Sequence, residues 1–172
     1  MKAVVVVVGL LGALLVQGVL SGLFMGGTVA VNLVLVVVVY AALAYGALTG
    51  LLAGAVGGLA QDALGGGIVG LGGMTKTLIG FLVGVLAAQF NLSTFMPRLV
   101  MFVAATFVHE LVFGGLQAIA AGRPFGVKLS ALVVQALLNA LIGVAAFVLV
   151  ENGPQAMANR RMRRASLTKR RF

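Results

Sequence analysis

Residues 28–64 read TVAVNLVLVVVVYAALAYGALTGLLAGAVGGLAQDAL and carry a single charge, Asp62. A transmembrane helix needs about 20 mostly apolar residues, so this block is too long for one span. The dipeptide Tyr45–Gly46 is the natural place to divide it, because glycine ends helices. A kinked or re-entrant element after Gly46 is the alternative. A transmembrane β-barrel would show apolar and polar residues in alternation. Val36-Val37-Val38-Val39 does not alternate, and neither does Val4-Val5-Val6-Val7-Val8 near the start of the chain. In lipid, a continuous apolar run of this kind reads as helix.

The rest of the chain agrees. Of 172 residues, 62% are hydrophobic and 9% charged, where a soluble domain has about 25% charged. That balance excludes a soluble globular domain, and it excludes disorder, which needs low hydrophobicity. There is no Cys, so no disulfide framework is present. The expected fold is an all-α integral membrane protein, a six-helix bundle with spans at about 3–25, 28–45, 46–64, 75–90, 98–120 and 129–150. Residues 1–158 form this membrane domain, and 159–172 form a basic, flexible cytoplasmic tail. Met1–Leu20 resembles a signal peptide in having Lys2 before an apolar run. The run is longer than a usual h-region and no small-x-small site follows, so a retained first span is expected.

Six spans put both termini on one side. Lys2, Arg98 and the tail cations Arg160, Arg161, Arg163, Arg164, Lys169, Arg170 and Arg171 share it; Lys76, Arg123 and Lys128 fall opposite. The positive-inside rule then places both termini in the cytoplasm. The tail accounts for most of the +9 net charge. A basic segment after a last span anchors topology and attracts anionic lipid at about 1 kcal/mol per cation. Lipid or a cytoplasmic protein is its expected partner, and nucleic acid is not.

Several motifs look like chemistry. Gly65-Gly66-Gly67-Ile68-Val69-Gly70 fits G-x-G-x-x-G, but no βαβ unit surrounds it. Gly70-Leu71-Gly72-Gly73-Met74-Thr75-Lys76-Thr77 approaches a P-loop with Thr75 in the place of its second glycine. His109-Glu110-Leu111-Val112-Phe113 begins like H-E-x-x-H, yet His109 is the only histidine. One His, no Cys and three carboxylates do not make a protein-built metal site or a catalytic triad. No catalytic residue, metal or cofactor is expected.

A charge at mid-bilayer costs about 2.5–3.5 kcal/mol on insertion scales, so buried ionisable groups need partners. Asp62 and Lys76 stand near the outer ends of adjacent antiparallel spans, and they are expected to pair. Gly46, Gly50, Gly54, Gly58 and Asp62 repeat every four residues, as do Lys76, Gly80, Gly84 and Ala88. Small residues at this spacing let helices approach closely. They serve packing inside the bundle, docking of another membrane protein, or both. In span five, Thr106, Glu110 and Gly114 share one line, and His109, Phe113 and Gln117 the next. Gln135, Asn139 and Gly143 share a line in span six, and Gln17 and Ser21 lie in span one. These polar groups are expected to face the bundle and bond across helices. Among them His109, Glu110, Gln135 and Asn139 are the candidates for lining a small polar cavity.

One stretch resembles a known family. Asn32 to Gly46 is an aliphatic span ending in a Tyr/Ala/Leu segment and a glycine. It is followed by Gly50, Gly54, the run Gly57-Gly58-Leu59-Ala60-Gln61-Asp62, the turn glycine Gly70, and Thr77-Leu78-Ile79-Gly80-Phe81-Leu82-Val83-Gly84. This resembles the bacterial rod shape-determining protein MreD family, with Gly58 to Asp62 as its G-L-x-x-D motif. The likeness covers Asn32 to about Gln89. It departs from the family in having no Pro at the start of span two, and in lacking the acidic residue after the turn, near which Lys76 stands instead. The resemblance implies a fold similar to the S components of energy-coupling-factor transporters. It also implies a non-enzymatic inner-membrane scaffold of the cell-elongation machinery. Such a scaffold would bind the bitopic protein MreC and link the MreB filament to peptidoglycan synthesis by RodA and its transpeptidase partner.

The rival reading is a substrate-binding membrane subunit of a vitamin-type transporter, which needs a pocket of about 300 Å³ or more with converging polar groups. With no Trp and only Tyr40 and Tyr45, aromatic stacking of a vitamin is poorly supplied. An intramembrane enzyme would rest on Glu110 and His109 alone. The topology is directly testable: a green fluorescent protein fused after Phe172 is expected to fluoresce in a bacterial host, and alkaline phosphatase fused there to be inactive. The reverse pattern overturns the cytoplasmic assignment of the termini.

Overall fold

A computed structural model describes residues 2–23, 31–66, 68–90, 94–122 and 125–169, with their side chains except at 21–23 and 151–169. The regular elements among them are all helices: α1 (Lys2–Leu23), α2 (Leu33–Tyr45), α3 (Ala47–Gly65), α4 (Leu71–Gln89), α5 (Phe95–Ala121) and α6 (Leu129–Lys169). The protein is an all-α membrane bundle. Five helices are long and apolar enough to cross a membrane, over Lys2–Leu20, Ala47–Gly65, Leu71–Gln89, Phe95–Ala121 and Leu129–Val150.

The six expected spans map one to one onto the six helices, but their lengths differ in instructive ways. Helix α2 has 13 residues, about 20 Å at 1.5 Å per residue, short of a ~30 Å hydrocarbon core. It starts after Asn32, whose side chain accepts from the Leu35 N–H as an N-cap; the expected start at Thr28 lies outside the described residues. Helix α4 starts at Leu71, not Thr75, because its two early glycines are held by a side chain from α3. Helix α5 starts at Phe95 and takes Pro97 into its first turn, where a missing N–H costs no helical bond. Helix α6 runs to Lys169 instead of stopping at Val150. The segment expected as a flexible tail therefore begins as a continuation of the last helix, in keeping with its Ala, Met, Arg and Leu residues, all good helix formers. The tail side chains, and residues 170–172 entirely, lie outside the described residues.

Helix α2 is apolar on every side, the mark of a helix surrounded by protein. It packs against all five others and separates two cores. On one side Val34, Val38 and Ala41 meet Val6, Leu10 and Ala13 of α1 and Ala53 of α3. On the other, Leu35, Val36, Val39 and Ala42 meet Ile79 and Val83 of α4, Phe102 and Ala105 of α5, and Ala140 and Val144 of α6. The junction from α2 to α3 is the single residue Gly46, at φ +93° and ψ 177°. That region is open essentially to glycine alone.

The glycine ridges pack against each other within the chain. A Cβ on Gly50 would strike the Gly80 carbonyl, on Gly54 the Lys76 carbonyl, and on Gly58 the backbone of Gly72 and Gly73. On Gly84 it would strike the backbone of Ala47. Helices α3 and α4 thus run antiparallel with backbones in contact along most of their length, a closeness only hydrogen-for-side-chain positions permit. A second tight fit lies between α5 and α6, where the buried Phe102 ring occupies the place of a Cβ on Gly143. At one end of the bundle Tyr40 meets Tyr45 and Phe147 edge-on. Arg98 lies 3.9 Å over the Phe147 ring and Lys2 6.0 Å from Tyr45. Tyr residues and cations of this kind mark a membrane interface.

Backbone contact cannot be relieved by moving a side chain. Gly54→Leu is therefore expected to lower the midpoint of thermal unfolding in detergent, with a loss of about 1–3 kcal/mol or more. Gly12→Leu is the control, since nothing lies within 4 Å of a Cβ there, and it should leave the midpoint unchanged. Equal midpoints for the two variants would contradict the packing described.

Candidate functional site

A helix leaves its first N–H groups without intrahelical partners. In hydrocarbon each unsatisfied group costs several kcal/mol. Two helices of this bundle begin where the chain itself must supply those partners, and the polar residues of the spans do so.

The first is α4. Asp62, near the end of α3, directs Oδ2 at the start of α4 and accepts from the N–H groups of Gly70 at 2.9 Å, Gly72 at 2.9 Å and Gly73 at 3.2 Å. The glycines are required by that geometry. Gly70 has φ +107°, and a Cβ on Gly72 would collide with the Asp62 carboxylate. The expected Asp62–Lys76 ion pair does not form. The carboxylate is committed to the backbone, and the Lys76 side chain runs instead toward α5, with Nζ 5.9 Å from the centre of the Phe113 ring.

The second is α2. Asn32 and the first-turn residues Val34, Leu35 and Val36 are buried, so the helix starts within the bundle. The Asn32 N–H donates to Asn139 Oδ1 of α6 at 3.0 Å. The Val34 N–H reaches Gln17 Oε1 of α1 at 3.5 Å, and the Leu35 N–H is taken by Asn32 itself at 3.1 Å. Asn139 Nδ2 passes on to Thr106 Oγ1 at 3.3 Å, which donates to the Phe102 carbonyl at 2.9 Å.

Helices α5 and α6 meet in steps of four: Phe102 with Gly143, Thr106 with Asn139, Glu110 with Gln135. The last rung is a polar cluster. Gln135 Nε2 donates to Glu110 Oε1 at 2.7 Å, and His109 Nδ1 stands 3.1 Å from the same oxygen. His109 stacks on Phe113 at 5.7 Å, 11° from parallel. So His109, Glu110 and Gln135 come together. Asn139 sits one rung away, in the cap of α2. Lys76 joins the cluster through Phe113, an association the sequence reading missed; only its four-residue spacing from Gly80 placed it on the inner face. Asn32 was also missed as a cap, although an Asn before an apolar run is the standard helix-start signal. Gly46, Gly50, Gly54, Gly58, Gly80 and Gly84 lie along the α2–α3–α4 junctions described above.

Among the described residues, two of the crevices on the bundle surface bear on the site. One, of about 510 Å³, runs between α3 and α4 over Leu51, Ala55, Leu59, Gly73, Thr77 and Phe81 and is almost wholly apolar. The other, of about 620 Å³, lies between α1 and α3 beside Gln17 and Gln61. Among the described residues no three His, Cys, Asp or Glu side chains group to hold a metal ion. Compared with protein-family models, curated proteins and solved structures, the chain matches none.

Because Asp62 bonds amides and not Lys76, Asp62→Ala should cost about 1–3 kcal/mol through amides left unpaired. That loss should be the same, within about 0.5 kcal/mol, in a Lys76→Met background. A double-mutant cycle on unfolding in detergent checks this, and a loss that vanishes in the Lys76→Met background restores the ion pair.

Proposed function

We propose that the chain is a non-enzymatic scaffold of the bacterial cell-elongation machinery, of the MreD kind. In this reading it lies in the inner membrane with both termini cytoplasmic, binds an MreC-like bitopic protein, and links MreB to peptidoglycan synthesis by RodA and its transpeptidase partner. The observation that carries the reading is the outward face of the α3–α4 pair. The stretch that resembles MreD builds a hairpin stiffened by backbone contact and by the Asp62 cap. Its outer side carries the apolar 510 Å³ groove. A groove with a floor of Ala55, Gly73 and Thr77 between walls of Leu51, Leu59 and Phe81 suits the side chains of a single transmembrane helix, held by van der Waals contact. The basic tail suits anionic lipid, at about 1 kcal/mol per cation near the surface, or a cytoplasmic partner.

Purification from native membranes in mild detergent is expected to retain a single-span MreC-like protein in stoichiometric amount. Ala55→Trp, which fills the groove, should cut that retention at least about tenfold, equivalent to 1.4 kcal/mol, without lowering the unfolding midpoint. Retention of a vitamin-sized molecule together with ATPase subunits would instead identify a transporter subunit.

A further inference from the structure

Helix α6 is 41 residues long, and only its first 22, Leu129–Val150, form the apolar span. At 1.5 Å per residue that span measures about 33 Å, close to the thickness of the hydrocarbon core, so Val150 stands at the edge of the core. The helix then continues from Glu151 to Lys169. Along its axis Arg160 lies about 15 Å beyond Val150, Arg163 about 20 Å and Lys169 about 28 Å. The headgroup layer is about 5–8 Å deep, and the pull of an anionic surface fades over a Debye length of about 8 Å. Lipid therefore reaches about 16 Å past Val150, and Arg163, Arg164 and Lys169 stand beyond it. A tilt combined with a bend at Pro154, about 40° in all, still leaves Lys169 about 22 Å out.

From Glu151 to the end of the chain the sequence holds seven cations against the single carboxylate of Glu151. Steps of three and four put Arg160, Arg163 and Arg164 on one face of the helix. Ala158, Met162 and Ala165 recur at the same steps on the opposite face. We propose that this extension of α6 docks on a soluble protein whose surface has an apolar groove rimmed by carboxylates. The mode is that of an amphipathic helix laid in a groove. The guanidinium forks pair with the rim carboxylates, and Met162, an adaptable apolar side chain, enters the groove. A membrane surface lies too far below these cations. A nucleic acid fits less well, because no aromatic residue stands between Glu151 and Arg171 to stack on bases. The proposal stands apart from the scaffold role, since its residues are remote from the α3–α4 groove.

The chain has no Cys, so Ser166→Cys gives the full-length protein one labelling site near the far end of α6. In nanodiscs of phosphatidylcholine and phosphatidylglycerol, a fluorophore there should escape quenching by spin-labelled headgroups, as it should in phosphatidylcholine alone. Quenching that appears with phosphatidylglycerol makes the membrane the occupant and overturns the proposal. A photoreactive amino acid at position 166, in cells of the native host, should cross-link chiefly to one soluble protein with an excess of Asp and Glu. That protein, purified, should bind the chain in phosphatidylcholine nanodiscs. Replacing Arg160, Arg163 and Arg164 together by Gln should weaken this binding at least about tenfold, and Met162→Asp should do the same. Unchanged unfolding midpoints show that both variants are folded. The proposal fails if the cross-links go only to lipid, to nucleic acid or to the chain itself, or if both variants bind as the wild type does. Retention of an MreC-like protein should be equal in these variants, so this docking and the scaffold role fail separately.

Discussion

The bundle depends on one constraint: inside a membrane no water is available to the free N–H groups at a helix start. Helix α4 meets it with a carboxylate: the N–H groups of Gly70, Gly72 and Gly73 donate hydrogen bonds to Asp62. Helix α2 meets it with three amide side chains, from Asn32, Gln17 and Asn139. The close approach of α3 and α4 follows from the first device. Because Asp62 closes α4 from the side, two glycines can stand in its first turn, where they would otherwise weaken a helix. Those glycines then let the backbone of Gly58 come near.

The second device orders the rest of the bundle. Helix α2 begins inside, so its caps must come from neighbours, and those neighbours are thereby fixed to it. Gln17 ties α1, and Asn139 ties α6 and, through Thr106, α5. The steps of four between α5 and α6 set their register: a shift by one residue would separate Phe102 from Gly143, Thr106 from Asn139 and Glu110 from Gln135 together. Most polar side chains in the spans thus have a structural use. Among the described residues, His109 Nε2 and Gln61 Oε1 are the buried side-chain atoms left without a hydrogen-bond partner.

Much of this was legible in the sequence, and the failures share one cause. The apolar runs gave six helices, and Tyr45–Gly46 marked the α2–α3 junction. The four-residue glycine spacing marked a close helix pair, although it did not say whether the partner lay inside the chain. What the sequence hid were boundaries and pairings set by tertiary contact. Gly65 to Gly73 reads as a turn on propensity alone, yet α4 starts at Leu71 because a residue from another helix caps it. Asp62 and Lys76 look like partners because they are opposite charges at neighbouring span ends. The backbone amides of Gly70, Gly72 and Gly73 are closer claimants for the carboxylate, and no charge count reveals them. The continuation of α6 past Val150 was hidden for a different reason: an apolar window marks where a span ends, not where a helix does.

The run from Gly70 to Thr77 shows what a motif match means physically. Its likeness to a P-loop is broken at Thr75, which stands in the place of the second glycine. Yet the physics behind the P-loop is present: glycine amides at a helix start, converging on an anion. Here the anion is the chain's own Asp62. A carboxylate suits the place better than an amide side chain would. It accepts only, so it brings no donor into a spot that already holds three. Its charge also faces the positive end of the α4 dipole. The same chemistry that holds a phosphate in one context therefore holds two membrane helices together in another, and the surrounding fold decides between them.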